Sequence, residues 1–236
     1  MAGKNLDYRW DIVVPSHRYI FAVEDKEILE LNREDDSPAE RFLRYQDMKA
    51  DHPVHGMITW PNTVLLRGPK TVLIDPGILM QGTPLILGLE QLGMGPGSVD
   101  LVINTHIHPD HTLANVYFPQ ATGVIHSKEV AGSGSDWGAS FASSRLLEGK
   151  RGEIIPGLEF LLTPGHTDGS ISVLVDTQQG TVVVAGDTVG PVPAYFEHGD
   201  LPADFPGRED LLESWERIRE ADPVLVIPGH NPPMTL

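Results

Sequence analysis

Short apolar runs alternate with turn residues along most of the chain. The runs are rich in Val, Ile and Leu and are bounded by Gly, Pro or Asp, a pattern that predicts β-strands. Several of them, such as residues 181–185, are continuously apolar, which favours sheets covered on both faces. The predicted strands are 12–14, 19–23, 63–67, 71–75, 100–104, 123–126, 158–162, 170–175, 181–185 and 224–227.

Helical periodicity is confined to fewer segments. Residues 84–92 have apolar side chains at helical spacing and precede Gly93, which suits the end of a helix. Residues 210–220 place Leu211 and Trp215 on one stripe, with charged side chains opposite. The strands outnumber those that a single parallel sheet with crossover helices requires. We therefore predict two packed sheets with helices on the outside.

Two segments resist assignment to a helix or a strand. Residues 24–54 are polar and charged, and their middle, 32–41, is expected to form an exposed excursion. Residues 131–144 are rich in Gly, Ser and Ala. Long loops in compact domains are often functional lids, with disorder as the alternative. No repeat and no linker divides the chain, so we predict one domain over residues 1–236.

Composition and charge narrow the classes of function. The 236 residues are 40% hydrophobic, enough for one large core, and carry a formal net charge of −16. Such an acidic surface repels phosphate backbones, so no nucleic-acid partner is expected. The sequence has no apolar run long enough for a membrane span and no signal-peptide pattern, which predicts a cytoplasmic protein without a membrane partner. A homodimer is compatible with the sequence.

A cluster of histidines points to metal chemistry. The chain has no cysteine, so any metal must bind imidazole and carboxylate. His106 and His108 follow an apolar strand, and residues two apart in an extended segment project to the same side, where they can share one ion. Pro109 keeps His108 extended, and Asp110 is placed to open a helix, so that Asp110 and His111 point in another direction. One short segment can thus present four ligands to two adjacent ions.

Three further residues of ligand type each stand at the end of an apolar strand and beside a glycine: His166, Asp187 and His230. An adjacent glycine allows the tight backbone turn that brings a side chain in close. Taken singly, each has an ordinary explanation, such as a turn cap for Asp187. Their shared context predicts one site assembled at an edge of the sheets.

The ordered motifs HxHxDH, GH, GD and PGH resemble those of the metallo-β-lactamase superfamily, in its glyoxalase II-like and lactonase-like branch. The resemblance spans residues 64–230 and implies an α/β (α+β) fold, a four-layer αββα sandwich with two metal ions in a cleft at one edge. By position it assigns three ligands to each ion and one bridge between them. These are His106, His108 and His166 for one ion, Asp110, His111 and His230 for the other, and Asp187 as the bridge. Asp75 matches the family's early aspartate, which supports the ligands from behind.

The resemblance implies a binuclear metal-dependent hydrolase. Nitrogen and oxygen ligands suit divalent zinc, which we expect, with iron or manganese as alternatives. Two such ions share a hydroxide whose pKa falls from about 16 toward about 7, which makes it a nucleophile at neutral pH. Asp110 is the expected catalytic residue, because it can take or return a proton as the intermediate collapses.

Differences from known branches of the family narrow the range of substrates that we expect. No cysteine can bind the second ion as in the best-known zinc β-lactamases, and Gly190 stands where acyl-homoserine lactonases carry a tyrosine. We expect a small-molecule carboxylic ester, lactone or thioester. Two enzyme alternatives stay open: a mononuclear iron oxygenase of the persulfide dioxygenase type, and a phosphodiesterase, for which only Arg145, Lys150 and Arg151 form a cluster of cations. A non-catalytic binding protein is the remaining alternative, and it belongs to a different class of function.

Aromatic residues in predicted loops are candidates for the wall of a substrate cleft, although such residues also serve ordinary packing. Two of them belong to the segment 131–144, so we expect this segment to border the cleft. The candidates are Trp60, Trp137, Phe141, Tyr195 and Phe196.

Overall fold

The computed structural model describes residues 8–24, 27–33, 35–49, 51–131, 133–134, 136–190 and 192–236. The prediction that the N terminus is not a signal peptide concerns residues 1–7 and lies outside the described residues. Among the described residues, no helix combines the length and the apolar composition that a membrane span requires.

The described part of the chain contains fourteen strands and six α-helices. In chain order, strands β1–β14 span Arg9–Val14, His17–Glu24, Glu27–Glu30, His55–Trp60, Thr63–Arg67, Thr71–Ile74, Leu101–Ile103, Thr122–His126, Ser143–Leu147, Arg151–Ile155, Leu158–Leu162, Ile171–Thr177, Gly180–Gly186 and Leu225–Pro228. Helices α1–α6 span Pro38–Met48, Gly82–Gln91, Pro109–Thr112, Ser127–Val130, Pro193–His198 and Arg208–Glu220. Short 3₁₀ helices cover Leu79–Gln81, Pro96–Ser98, Leu113–Tyr117 and Trp137–Ser140.

Two large sheets pack face to face. The first has the order β1-β5-β6-β7-β8-β9, antiparallel as far as β6 and parallel from β6 to β9. The second has the order β10-β11-β12-β13-β14, antiparallel except for its last pair. Val72 and Ile74 of the first sheet share one buried apolar core with Val173 and Val184 of the second. This core lies between the sheets and holds them together.

Helices cover the outer face of each sheet. Leu73 lies between two inward-facing residues of β6 and therefore faces outward, where Leu85 and Leu89 of α2 pack on it. On the second sheet, Trp215 and Ile218 of α6 fill the outer core. The layers follow the order helix, sheet, sheet, helix. The four-layer αββα sandwich expected from the sequence is confirmed.

The polar segment 24–54 is folded where the structure describes it. Strands β3-β2-β4 form a small antiparallel sheet, and α1 packs against β2. Pro38 opens α1, and Ser37 caps it: the Ser37 hydroxyl accepts from the Glu40 N–H at 3.3 Å, and the Glu40 carboxylate accepts from the Ser37 N–H at 2.8 Å. The predicted excursion over 32–41 is therefore wrong from residue 38 onward, because its polar residues form a capping box and a helix.

All ten predicted strands and both predicted helices are present, with ends shifted by a few residues. The sequence analysis missed β3, β4, β9, β10, α1, α4 and α5. Strands β9 and β10 carry mostly polar, exposed residues and lack the apolar signal on which strand prediction depends. The segment 131–144, expected to be a loop, contains the 3₁₀ helix at Trp137–Ser140 and the start of β9.

Candidate metal centre

Seven histidine and aspartate side chains converge where strands of the two sheets end. Strand β7 leads into the histidine cluster, and β11, β13 and β14 each lead into one further member. The sheets meet at this edge, where the Ile171 N–H at the start of β12 donates to the Thr105 carbonyl at 2.9 Å. The seven residues are His106, His108, Asp110, His111, His166, Asp187 and His230.

Glycines beside two of these residues let the backbone turn and approach closely. Gly186 has a φ of 52°, in the left-handed region that glycine adopts without strain. A side chain at Gly229 would collide with the Asp187 carboxylate. The Gly229 N–H also donates to the Gly186 carbonyl at 2.8 Å, which ties the two loops together. The GD and PGH motifs of the sequence thus have a steric basis.

The first group contains His106, His108 and His166. Nδ1 of His108 lies 3.0 Å from Nε2 of His106 and 2.9 Å from Nε2 of His166. In a tetrahedral site with metal–nitrogen bonds of about 2.0–2.1 Å, ligand atoms lie about 3.3 Å apart. The three nitrogens are therefore spaced almost as ligands of one ion are. His108 has an extended backbone, as the sequence predicted, whereas Pro109 rather than Asp110 is the first residue of α3.

The second group contains Asp110, His111 and His230. Nε2 of His230 lies 3.2 Å from Oδ2 of Asp110 and 3.4 Å from Nε2 of His111. Asp110 and His111 are on α3, so their side chains leave in a different direction from that of His108. Within each group the candidate ligand atoms lie within 4.8 Å of one another.

Asp187 contacts both groups. Its Oδ2 lies 3.5 Å from Nε2 of His166 and 3.4 Å from Nε2 of His230, and its Oδ1 lies 3.4 Å from Nε2 of His111. This Oδ1 is buried and has no hydrogen-bond partner among the described residues. A buried carboxylate oxygen without a partner is costly unless a cation satisfies it. The donor set therefore fits divalent metal ions.

Two buried groups fix the orientation of the imidazoles from behind. The Asp75 carboxylate accepts from the Thr105 N–H and hydroxyl, at 2.8 and 2.7 Å, and its Oδ2 lies 2.8 Å from Nδ1 of His111. Nδ1 of His230 lies 3.1 Å from the Trp60 carbonyl. Each contact occupies Nδ1 and leaves Nε2 directed into the site. Asp75 thus has the place that the resemblance implied, whereas the role of the Trp60 backbone was not predicted.

Glu129 is a third supporting residue, which the sequence analysis missed. Its side chain is buried, Oε2 accepts from the Ile107 N–H at 2.7 Å, and Oε1 accepts from the Thr167 hydroxyl at 2.6 Å and the Gly169 N–H at 2.8 Å. One carboxylate thereby joins the loop of His106 and His108 to the loop of His166. A single acid in a short helix carries no sequence signal for this role.

Burial and neighbouring charges set the protonation of the cluster. Burial holds the pKa of His106 well below its usual value, and His111 adds to the effect. Burial also lowers the pKa of His111, but Asp75 and Asp187 outweigh it and raise that pKa well above normal. Burial raises the pKa of Asp187, yet His230 and His111 hold it well below normal. At neutral pH His106 is neutral and Asp187 is charged, the forms in which these groups bind metal.

A cavity of about 700 Å³ opens above the cluster. His108, Asp110, His166, Asp187 and His230 form its base. The walls come from α1, β4, the segment around α5 and the start of α6, and most of their side chains are apolar. They include Phe42, Leu43, Met57, Val192, Tyr195, Leu201, Phe205 and Leu211.

Of the five predicted cleft aromatics, Tyr195 alone lines this cavity. Trp137 is buried and donates its Nε1–H to Asn104 at 2.8 Å, and Phe141 packs with it at the outer core of the first sheet. Trp60 donates to the Pro15 carbonyl, and Phe196 is buried against α6. We expected these four residues and the segment 131–144 to border the cleft. This expectation is wrong, because the aromatic rings pack against the apolar cores instead.

The cations in and around the cavity also differ from expectation. Arg145, Lys150 and Arg151 are exposed on or near β9 and β10 and do not line the cavity. Arg18, on β2, does line it, although only 3% of its surface is exposed. No sequence pattern singled out Arg18, because strand alternation alone does not reveal which face of β2 meets the metal-binding edge.

Comparisons with known proteins agree with this fold. Residues 61–230 match the family model described as the metallo-beta-lactamase superfamily. The chain is 33% identical to metallo-beta-lactamase domain-containing protein 1 of Xenopus laevis over 73% of its length and 71% of that protein. It is 36% identical to a probable metallo-hydrolase of Methanocaldococcus jannaschii, over 72% of this chain and 87% of that one. An N-acyl homoserine lactonase of Bacillus cereus is 25% identical over 61% of this chain and 60% of its own.

Solved structures show the same fold at low identity. A Bacillus thuringiensis protein with N-decanoyl-L-homoserine bound at its active site superposes with a TM-score of 0.60 at 22% identity, over 74% of this chain and 83% of that one. The fold and the cluster are of the kind found in a superfamily of metal-dependent hydrolases. The chain belongs to the metallo-β-lactamase superfamily.

Proposed function

We propose that this protein is a binuclear metal-dependent hydrolase of a carboxylic ester, lactone or thioester. The observation that carries the proposal is the convergence of seven nitrogen and oxygen donors in overlapping groups, and five of these donors form the base of a largely apolar cavity. Relatives named as metallo-hydrolases and N-acyl homoserine lactonases add support.

Each group of donors is suited to one ion. The assignment follows the two groups of side chains, with three donors for each ion and the Asp187 carboxylate between them. When bound, two divalent ions would supply a hydroxide nucleophile at neutral pH and would polarise the substrate carbonyl. The assignment is His106, His108 and His166 for one ion, and Asp110, His111 and His230 for the other.

The chain's own residues then hold the substrate and move the proton. Asp110 is partly exposed at the base of the cavity, whereas the supporting Asp75 is buried. Asp110 can therefore reach a leaving group, and it acts both as a ligand and as the group that takes or returns a proton. The apolar walls exclude water from the substrate and favour an acyl chain.

Metal content and a substrate panel test the proposal together. The purified protein should bind close to two transition-metal ions per chain, measured by elemental analysis, and should hydrolyse at least one class in a panel of esters, lactones, thioesters and phosphodiesters. Asp187→Ala should weaken binding of both ions, whereas Asp176→Asn should not, because Asp176 is exposed near the far end of β12.

Several outcomes would contradict the proposal. One iron per chain with oxygen consumption would favour the oxygenase. Hydrolysis of phosphodiesters alone would change the substrate class. If Asp187→Ala still binds two ions tightly, Asp187 is not the bridging ligand.

A further inference from the structure

Arg18 is a buried cation without a carboxylate partner among the described residues. Its Nη1 donates to the Pro38 carbonyl at 2.8 Å, and its guanidinium lies over the Phe42 ring at 5.4 Å. No described aspartate or glutamate forms an ion pair with it, whereas the nitrogen–oxygen distances in the other arginine pairs of the described residues are 2.8 Å or less. A guanidinium carries five N–H donors, so one carbonyl leaves most of its capacity unused.

Burial makes it energetically costly to keep a charge on the Arg18 guanidinium. Burial lowers the pKa of Arg18 to about 10, while Asp187 and Asp110 act at longer range to raise it. The group therefore stays charged at neutral pH. A buried cation is usually paired or hydrogen-bonded throughout, because desolvation is otherwise uncompensated. An oxyanion in the cavity would complete the pairing.

The rest of the cavity indicates how much negative charge it can accept. Among the described residues that line it, Arg18 is the only lysine or arginine, and apolar side chains form most of the walls. One guanidinium matches one carboxylate, whereas a phosphate dianion would call for a second cation. Arg18 and Phe42 also lie outside residues 61–230, which match the family model, so this wall is contributed by a segment outside the matched region.

We propose that Arg18 binds a carboxylate of the substrate, so that the preferred substrate is an apolar acyl compound with a carboxylate remote from the carbonyl that is cleaved. The inference rests on the proposed hydrolase function and specifies its substrate. The apolar chain packs against Phe42, Leu43 and Met57, and its charged end meets the guanidinium. Arg18 acts as a specificity-determining residue.

Matched substrate pairs test this assignment. Monothioesters of dicarboxylic acids of increasing length, from succinate through adipate to suberate, are compared with the fatty-acyl thioesters of equal carbon number. At one chain length, kcat/KM of the metal-loaded protein should favour the carboxylate-bearing member by about tenfold or more, the effect expected of one charge-assisted pair. Arg18→Met should abolish this preference, mainly through KM, because binding of the remote group is lost.

Arg44→Met is the matched control. Arg44 lies on α1 and pairs with Asp36 at 2.6 Å, and it does not line the cavity. Its removal should leave the ratio between the paired substrates as in the unmodified protein. A preference that survives Arg18→Met, or one that Arg44→Met abolishes equally, would overturn the assignment and leave Arg18 as an anchor between β2 and α1.

Inhibition of the unmodified protein provides a measurement that does not depend on the folding of a variant. Adipate should inhibit more strongly than hexanoate, since the two differ only in the remote carboxylate. Equal inhibition would overturn the proposal. Stronger inhibition by 6-phosphohexanoate than by adipate would overturn the proposal, because Arg18 would then bind a phosphate rather than a carboxylate. If no thioester, ester or lactone is hydrolysed, the proposed function fails, while the difference between adipate and hexanoate in a binding measurement still reports on Arg18.

Discussion

Three imidazoles of the cluster, those of His106, His111 and His230, present one nitrogen to the site because a neighbour holds the other. The Thr105 hydroxyl donates to Asp75, so its oxygen is free to accept from Nδ1–H of His106 at 3.1 Å. His111 is held by Asp75, and His230 by the Trp60 carbonyl. Side chains oriented in this way lose little entropy when a metal binds, so the ligand geometry is preorganised.

Asp110→Asn separates the two roles proposed for this carboxylate at the scale of one residue. The change preserves shape and one ligating oxygen but removes the charge and the basic site. With metal content restored, we expect kcat to fall about a hundredfold or more, since general acid–base catalysis contributes on that scale. Steady-state kinetics at a measured metal content provide the test, with Asp176→Asn as the control. Normal kcat in the reconstituted variant would reduce Asp110 to a ligand.

At the scale of elements, the site depends on how loops from different strands are held together. The Glu129 carboxylate, on α4 directly after β8, joins the loop that follows β7 to the loop that follows β11. All three of its partners are donors, so a carboxylate satisfies them and an amide does not. Glu129 acts through His108 and His166 and is a positioning residue.

Glu129→Gln should therefore weaken metal binding as well as the fold. The amide nitrogen would face a backbone or hydroxyl donor, and we expect metal affinity to fall about 10–100-fold, as for other residues that support ligands. The free energy of unfolding should fall by about 1–3 kcal/mol for the unsatisfied donor. Metal titration and denaturant unfolding measure the two effects. Glu153→Gln, at an exposed position of β10, should change neither. Unchanged metal affinity would restrict Glu129 to a purely structural role.

For the whole molecule, bound metal ions would crosslink the two sheets. One ligand segment follows β7 of the first sheet, and the others follow β11, β13 and β14 of the second. An ion at about 100 times its Kd stabilises the folded state by about 2.7 kcal/mol, which for a chain of this size raises Tm by about 5–11 °C. Thermal melts of the chelator-treated and the metal-loaded protein should differ by at least that amount. Identical melting temperatures would mean that the cluster does not hold metal in the folded protein.

The local sequence determined the strands of both large sheets except β9 and β10, helices α2 and α6, and the seven residues of the cluster. These features depend on short-range rules: strand alternation, the extended backbone that Pro109 imposes on His108, and the tight turn that Gly186 allows before Asp187. The strand pattern also predicted two packed sheets with outer helices, and the family resemblance supplied the place of Asp75. Such rules act within a few residues, so they can be recognised without knowing how the elements pack.

Only the tertiary structure decided which other residues surround the site. Glu129 meets partners 22 to 40 positions away in the sequence, and Arg18 lines a cavity whose base comes from residues 108–230. Trp137 has the same aromatic character as Tyr195, yet it lies in a core while Tyr195 lines the cavity. Local periodicity sets which residues share a face, but the packing of whole sheets and helices sets which faces meet, and substrate contacts depend on the latter.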